Sequence, residues 1–366
     1  PPVPTPLHLT LEIDGDGAHP AAWRRAAHPP EALLTPHRVR AVAAIAENAG
    51  FTLVTLDDEA LPPGRAPDPV GRIGAVERAA FIAASTSVLG IAPVISTTYA
   101  EPFHTSSQLA SLDHISIGRA GWVVAESAAP ESARAWGRPL VDGPAARAGE
   151  ARDSVRVTRE LWDSWEDDAV IRDVATSRYL DADQLHYIDF TGETFAVKGP
   201  AIVPRPPQGQ LVVFAPDGLV PAEQVDVALV AGRDVDALRR ASTGTPLTFA
   251  ELEVALDTPT DTAAERVADL DRRAGWPDRG RLRYTGGADG LVRLLTELAP
   301  LVDGVRLHPL VLDEDVAVLS RLVLPALLRA RTIARPVPGA SLRTTFGLPR
   351  PTNRFADRLT PAGDAR

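Results

Sequence analysis

The sequence has no cysteine, no methionine and a single lysine, Lys198, and only 5% of its residues are aromatic. Without cysteine there are no disulfides, no thiolate metal sites and no thiol nucleophile, and any redox compartment is compatible with the chain. Without methionine, even at position 1, the N-terminus is read as non-native. The cationic charge is almost all arginine, which together with abundant alanine reflects GC-rich coding more than any function. Long apolar runs are lacking too. No stretch approaches membrane-spanning length and no signal peptide is visible, so a cytoplasmic location is expected. A basic footprint is also missing: with a net charge of -10 and a pI near 5.3, neither nucleic acid nor an anionic membrane is an expected partner. A small molecule or another protein is.

What is present is enough apolar material, 45% of 366 residues, for one large core, and an α/β barrel is routinely a single domain at this length. One domain over residues 1–366 is expected, with an insertion at about 170–209 and a tail at about 335–366. The organising stretch is Ile95–Ser127. A strand runs into the hydroxyl turn Ser96-Thr97-Thr98, a helix bearing Leu109 and Leu112 follows, and Gly121–Ala125 reads as a second strand: a βαβ unit. Parallel strands of this kind hold ligands at their carboxyl ends, so the hydroxyl turn marks where chemistry should be sought.

Upstream, Leu7–Ile13 and Phe51–Leu56 read as the first two strands, and Val39–Asn48 as a helix stopped by Gly50. Glu77–Ser85 is the next helix and Val88–Ile95 the strand that feeds the turn. Downstream, Glu150–Trp165 is helical, Gln210–Ala215 a strand, Leu291–Leu298 a helix, Val305–Leu307 the last strand and Val316–Arg329 the closing helix. Tyr179–Gln208, with its PAIVPRPPQG run, exceeds an ordinary barrel loop and reads as an insertion hairpin over the rim.

Few single residues carry chemistry on their own. DGDG at Asp14–Gly17 lacks the later glutamate of a calcium loop and reads as a turn. Asp58, at the end of the second strand, suits a helix or turn cap. His104, in the loop after the hydroxyl turn, is a weak candidate for proton transfer, since a lone loop histidine is more often simply solvated. Glu166, Asp167 and Asp168 read as a solvated helix end, and no metal site is expected. Gly286-Gly287 reads first as a simple tight turn, with a phosphate cradle at a helix start as the weaker reading.

Three longer segments carry a resemblance: TTYAEPFHTSSQLASLDHISIGRAGWVV, LWDSWEDDA and GETFAVKGPAIVPRPPQGQLVV. They resemble the flavin-dependent monooxygenases of the bacterial luciferase-like superfamily, in the branch containing nitrilotriacetate and dibenzothiophene-sulfone monooxygenases. The likeness runs from about Leu7 to Phe355. It implies a (β/α)8 TIM barrel that uses reduced FMN and dioxygen on a small organic substrate, with a flavin reductase as partner and a homodimeric state. It further implies flavin contacts from Asp58, Thr97, Thr98 and Arg147. Asp113 and Arg119, by the same likeness, are scaffold, read as a structural ion pair.

The chain also departs from the pattern. Val123 follows Trp122 where the family has asparagine, and Pro144 and Ala148 stand where a histidine and a tyrosine touch the flavin. Pro216, which has no N–H, and Asp217, which is anionic, replace the strand end whose amides and hydroxyl hold the phosphate. Charge-assisted hydrogen bonds to a phosphate contribute roughly 1.5–3 kcal/mol each, so losing two or three weakens binding by several powers of ten. Two expectations result: an FMN-dependent monooxygenase with a degenerate flavin site, rescued in part by Arg147 or Gly286-Gly287, or a non-catalytic barrel paralogue or partner subunit.

Overall fold

The structure, a computed structural model, describes residues 5–58, 71–241 and 243–356. Short aliphatic and β-branched runs form strands, and alanine-rich amphipathic segments between them form helices. In chain order the first half comprises β1 (His8–Glu12), α1 (Pro36–Ala49), β2 (Leu53–Leu56), α2 (Ala75–Ser85), β3 (Gly90–Ser96), α3 (Pro102–Ser116), β4 (Gly121–Ala125), α4 (Pro130–Trp136) and α5 (Pro144–Trp162). Two small antiparallel hairpins follow, β5 (Val170–Asp173) with β6 (Arg178–Leu180), and β7 (Phe190–Thr191) with β8 (Ala196–Val197). The second half comprises β9 (Val212–Pro216), β10 (Val227–Val230), α6 (Val235–Arg240), β11 (Leu247–Leu256), α7 (Ala263–Asp271), β12 (Leu282–Gly286), α8 (Ala288–Leu298), β13 (Gly304–Pro309), α9 (Leu312–Val318), α10 (Leu324–Arg329) and α11 (Leu342–Thr345).

Eight parallel strands close a (β/α)8 barrel in the order β1-β2-β3-β4-β9-β10-β11-β13, with β13 returning to β1. The long strand β11 pairs first with β10 and then, over Leu252–Leu256, with β12, which lies outside the ring. Side chains alternate with the two-residue period of a strand. Leu9, Leu11, Val54, Trp122, Val124 and Val213 face the helices, whereas Leu53, Ala92, Val123, Phe214, Leu229 and Phe249 fill the inside. The amino end of the barrel is stoppered by α11: Phe346 meets Phe214 and Phe249 edge-to-face at 5.9 and 5.5 Å between centroids, and His8 at 4.7 Å. Gly304 is required there, because a Cβ would lie 2.5 Å from the Phe249 ring.

Several expectations are corrected. The helix expected from Glu150 begins at Pro144, a proline in the first turn after Gly143, so Pro144, Arg147 and Ala148 are helical, not loop. The insertion lies at the amino end of the barrel, opposite the strands' carboxyl ends, since it connects the end of α5 to the start of β9. The closing helix starts at Leu312 and loosens into a π-turn over Leu319–Val323, next to Pro325, whose missing N–H interrupts the helical ladder.

Asp113 and Arg119 do not pair. Asp113 accepts from the Gln208 side chain (2.7 Å) and backbone (3.1 Å) and from Ala120 N–H (3.3 Å), and burial pushes its carboxyl up to about 6 against these bonds. Arg119 instead caps carbonyls left over at helix ends and a strand start, those of Ala83 (2.9 Å), Thr86 (3.0 Å), Leu89 (2.5 Å) and Ser116 (2.9 Å). Nor is the acidic triplet solvated as a whole. Glu166 bonds His186 at 2.7 Å and Asp167 clamps Arg205 and Arg350, leaving Asp168 exposed.

Candidate functional site at the barrel mouth

The carboxyl ends of the strands, where barrels hold ligands, divide into two halves. On one side β3, β4 and β10 present Val94, Val123 and Leu229, an apolar wall. On the other side, β1, β2, β11 and β13 bring Glu12, Thr55, Glu251, Arg306 and His308 together. Arg306 donates from all three guanidinium nitrogens: to Thr55 Oγ1 (2.9 Å), Glu251 Oε1 (3.1 Å) and Glu12 Oε2 (2.5 Å). Glu12 is completed by Thr55 Oγ1 (2.7 Å) and by the amides of Asp14 (2.9 Å) and Asp57 (3.1 Å). Glu251 is completed by His308 Nε2 and by Arg281 at 3.1 Å.

The charges explain the protonation states. Burial opposes ionisation of Glu251 and Glu12, but the Arg306 guanidinium and the His308 ring outweigh it and hold both carboxyls below their ordinary range. Burial pushes the His308 pKa down, with only partial relief from Glu251.

The residues implicated by resemblance lie around this mouth but are already engaged. Asp58 accepts from the Ala75 N–H at 2.8 Å and so caps α2. Thr97 donates its hydroxyl (3.1 Å) and its amide (2.8 Å) to the Ala125 carbonyl, extending the β3–β4 pairing. Thr98 Oγ1 accepts from Ser127 N–H at 3.1 Å. Arg147 pairs with Glu126 at 3.1 Å. His104 is in the first turn of α3, not in a loop, and is exposed, its amide donating to Glu101 at 2.7 Å.

Ala148, Pro216 and Asp217 come together, as the resemblance implied, but on the outside of the barrel. They line a cavity of about 500 Å³ between α5 and the β9–β10 connection, together with Arg152, Leu219 and Thr245. That connection is unusual. Among the described residues every other crossover of the ring contains an α-helix, but Asp217–Asp226 has only the 3-10 turn Ala222–Gln224. The helix whose amino end would face a phosphate is missing there. At Gly286-Gly287 the alternative cradle is no better: Gly287 does start α8, but an Asp257 carboxylate oxygen lies 3.1 Å from where its Cβ would be.

The Thr97 hydroxyl and the Arg147 guanidinium are taken up by Ala125 and Glu126, and both candidate phosphate positions present a carboxylate. Among the described residues no group of three or more metal-binding side chains occurs.

The mouth network escaped the sequence reading. Its signal is the alternation of charge inside strands, Glu251 with Glu253 and Arg306 with His308, two residues apart and hence on the same inner face.

Comparison with known proteins agrees with this architecture. Residues 17–272 match the luciferase-like monooxygenase family, and the chain belongs to it. Nitrilotriacetate monooxygenase component A of Aminobacter aminovorans is 39% identical over 146 residues, 40% of this chain and 32% of that one. A component of the pristinamycin IIA synthase of Streptomyces pristinaespiralis is 34% identical over 252 residues, 66% of this chain and 83% of that one. The first relatives are matched over less than half of their own length. In fold, the chain is similar to a riboflavin lyase, with a TM-score of 0.79 at 22% identity, covering 96% of this chain and 98% of the other.

Proposed function

We propose that this barrel descends from two-component, FMN-dependent monooxygenases acting on small organic substrates, and that its own flavin site is degenerate, making it a non-catalytic paralogue or partner subunit in such a system. The observation that carries this reading is the β9–β10 connection, which offers Pro216, Asp217 and a loop where the other described crossovers of the ring offer an α-helix. A dianionic phosphate there meets the Asp217 carboxylate, and the guanidinium that lines the same cavity, Arg152, is paired with Asp153 at 2.9 Å. The relatives support the setting: two of them, the nitrilotriacetate monooxygenase component and the pristinamycin IIA synthase component, are each one polypeptide of a larger system.

The second reading, an active monooxygenase served by a flavin reductase, rests on family membership and on Arg147 lying near the rim. It requires Arg147 to leave Glu126 and turn to the phosphate. Desalting the purified protein after incubation with excess FMN, or with reduced FMN under nitrogen, separates the two. The degenerate site releases all flavin, whereas co-elution of flavin with protein at near one-to-one stoichiometry supports the enzyme.

A further inference from the structure

The phosphate end is only one end of a flavin, and the loss described there leaves the ring end unexplained. Resting on the reading of a degenerate site, we propose that Arg306 is a built-in occupant of the barrel mouth: its guanidinium takes the space and the hydrogen-bonding capacity that would otherwise receive a planar ligand, so the mouth is closed whether or not a phosphate is held.

Three observations carry this. A mouth prepared for a ligand exposes its lining, but the side chains of Arg306, His308 and Glu251 are only 8, 5 and 6% exposed. A prepared mouth also keeps donors and acceptors free, yet all three guanidinium nitrogens of Arg306 are engaged and every carboxylate oxygen of Glu12 and Glu251 has a partner within the protein. Finally, the network spans the four adjacent strands β2, β1, β13 and β11, so it cannot move aside as a loop would. Breaking any one pair leaves an uncompensated buried charge. The arrangement is thus a fixed plug.

The test uses lumiflavin, the ring without the ribityl phosphate, because its binding does not depend on Pro216 or Asp217. The plug predicts no saturable quenching of lumiflavin fluorescence by the unmodified protein up to the solubility limit of the dye. Saturable one-to-one binding by the unmodified protein overturns the plug while leaving the phosphate-end argument intact.

The complementary variant empties the mouth while leaving Arg281 its second carboxylate, Glu253 at 3.9 Å: Arg306→Leu with Glu12→Gln and Glu251→Gln. Added to Pro216→Gly and Asp217→Ser, it is expected to tighten FMN binding about tenfold beyond the phosphate-end pair alone, a fold-change read directly from titrations. No difference between the two variants, with circular dichroism showing both folded, contradicts the plug. Should the emptied variant not fold, the lumiflavin titration of the native chain decides alone. Tight FMN binding by the native chain refutes the degenerate-site reading itself, a different outcome from tight FMN binding by the phosphate-end pair alone, which refutes only the plug.

Discussion

Asp217 and Pro216 are exposed, and their influence on an anion is therefore screened by water and salt. Replacing them by serine and glycine restores a hydroxyl and an N–H, but not the missing helix. The expected gain in FMN affinity is about two- to threefold by isothermal titration, well under 1.4 kcal/mol. Two glycines test the packing in opposite directions. Gly304→Ala pushes a Cβ into the Phe249 ring inside the barrel and is expected to destabilise by about 1–3 kcal/mol in chemical denaturation. Gly149→Ala, within α5 and with nothing within 4 Å of the added Cβ, is expected to stabilise by about 0.5–1 kcal/mol, because it relieves the entropic penalty of a helical glycine.

At the scale of elements, the tail is held by charge. Arg343 reaches Asp226 at 3.0 Å, Arg350 reaches Asp167 at 2.6 Å, and Asn353 donates to the carbonyls of Asp163 and Trp165. The hydrogen bond from Arg350, helped by Arg205, holds the Asp167 carboxyl down at about 2. A depressed carboxyl contributes stability that is complete above its ordinary pKa near 3.8 and is lost as pH falls through its folded value. Protection against amide exchange in the 349–356 segment, taken relative to the intrinsic rate at each pH, is therefore expected to fall between about pH 4 and pH 2. In Asp167→Asn the segment should exchange faster at neutral pH and lose that part of the pH dependence. An unchanged profile in the variant contradicts the clamp.

The elements that were legible in the sequence are those with strong local grammar. The β3–α3–β4 unit follows from an apolar run, a hydroxyl turn and a glycine-arginine restart, and the α1 stop from Gly50 in the left-handed conformation. The strands β10, β11 and β12 were not picked out, because their partners are set by barrel closure and not by local pattern. The start of α5 was missed because Pro144-Ala-Ala-Arg-Ala-Gly resembles loop composition although proline is well suited to a first turn. The helix-free crossover leaves no mark of its own in the sequence; only the sheet pairing of β9 with β10 shows that so short a segment joins neighbouring parallel strands unaided. Asp113 and Arg119 were read as partners from their scaffold role in the likeness, whereas Asp113 holds Gln208 and the Ala120 amide and Arg119 holds backbone carbonyls.

For the whole molecule, the family's barrel is present, and the proposed reading is that the surroundings of its ligand have diverged. Packing residues are constrained by the fold itself; residues that only touch a ligand are not. We propose that the chain also keeps a homodimeric state, to be checked by sedimentation at micromolar concentration, where a monomer would refute it. The central claim concerns the flavin. Titrating the unmodified chain into FMN while following flavin fluorescence tests it most directly: the account predicts no saturation through the micromolar range, and a dissociation constant at or below low micromolar would contradict it and restore an active monooxygenase.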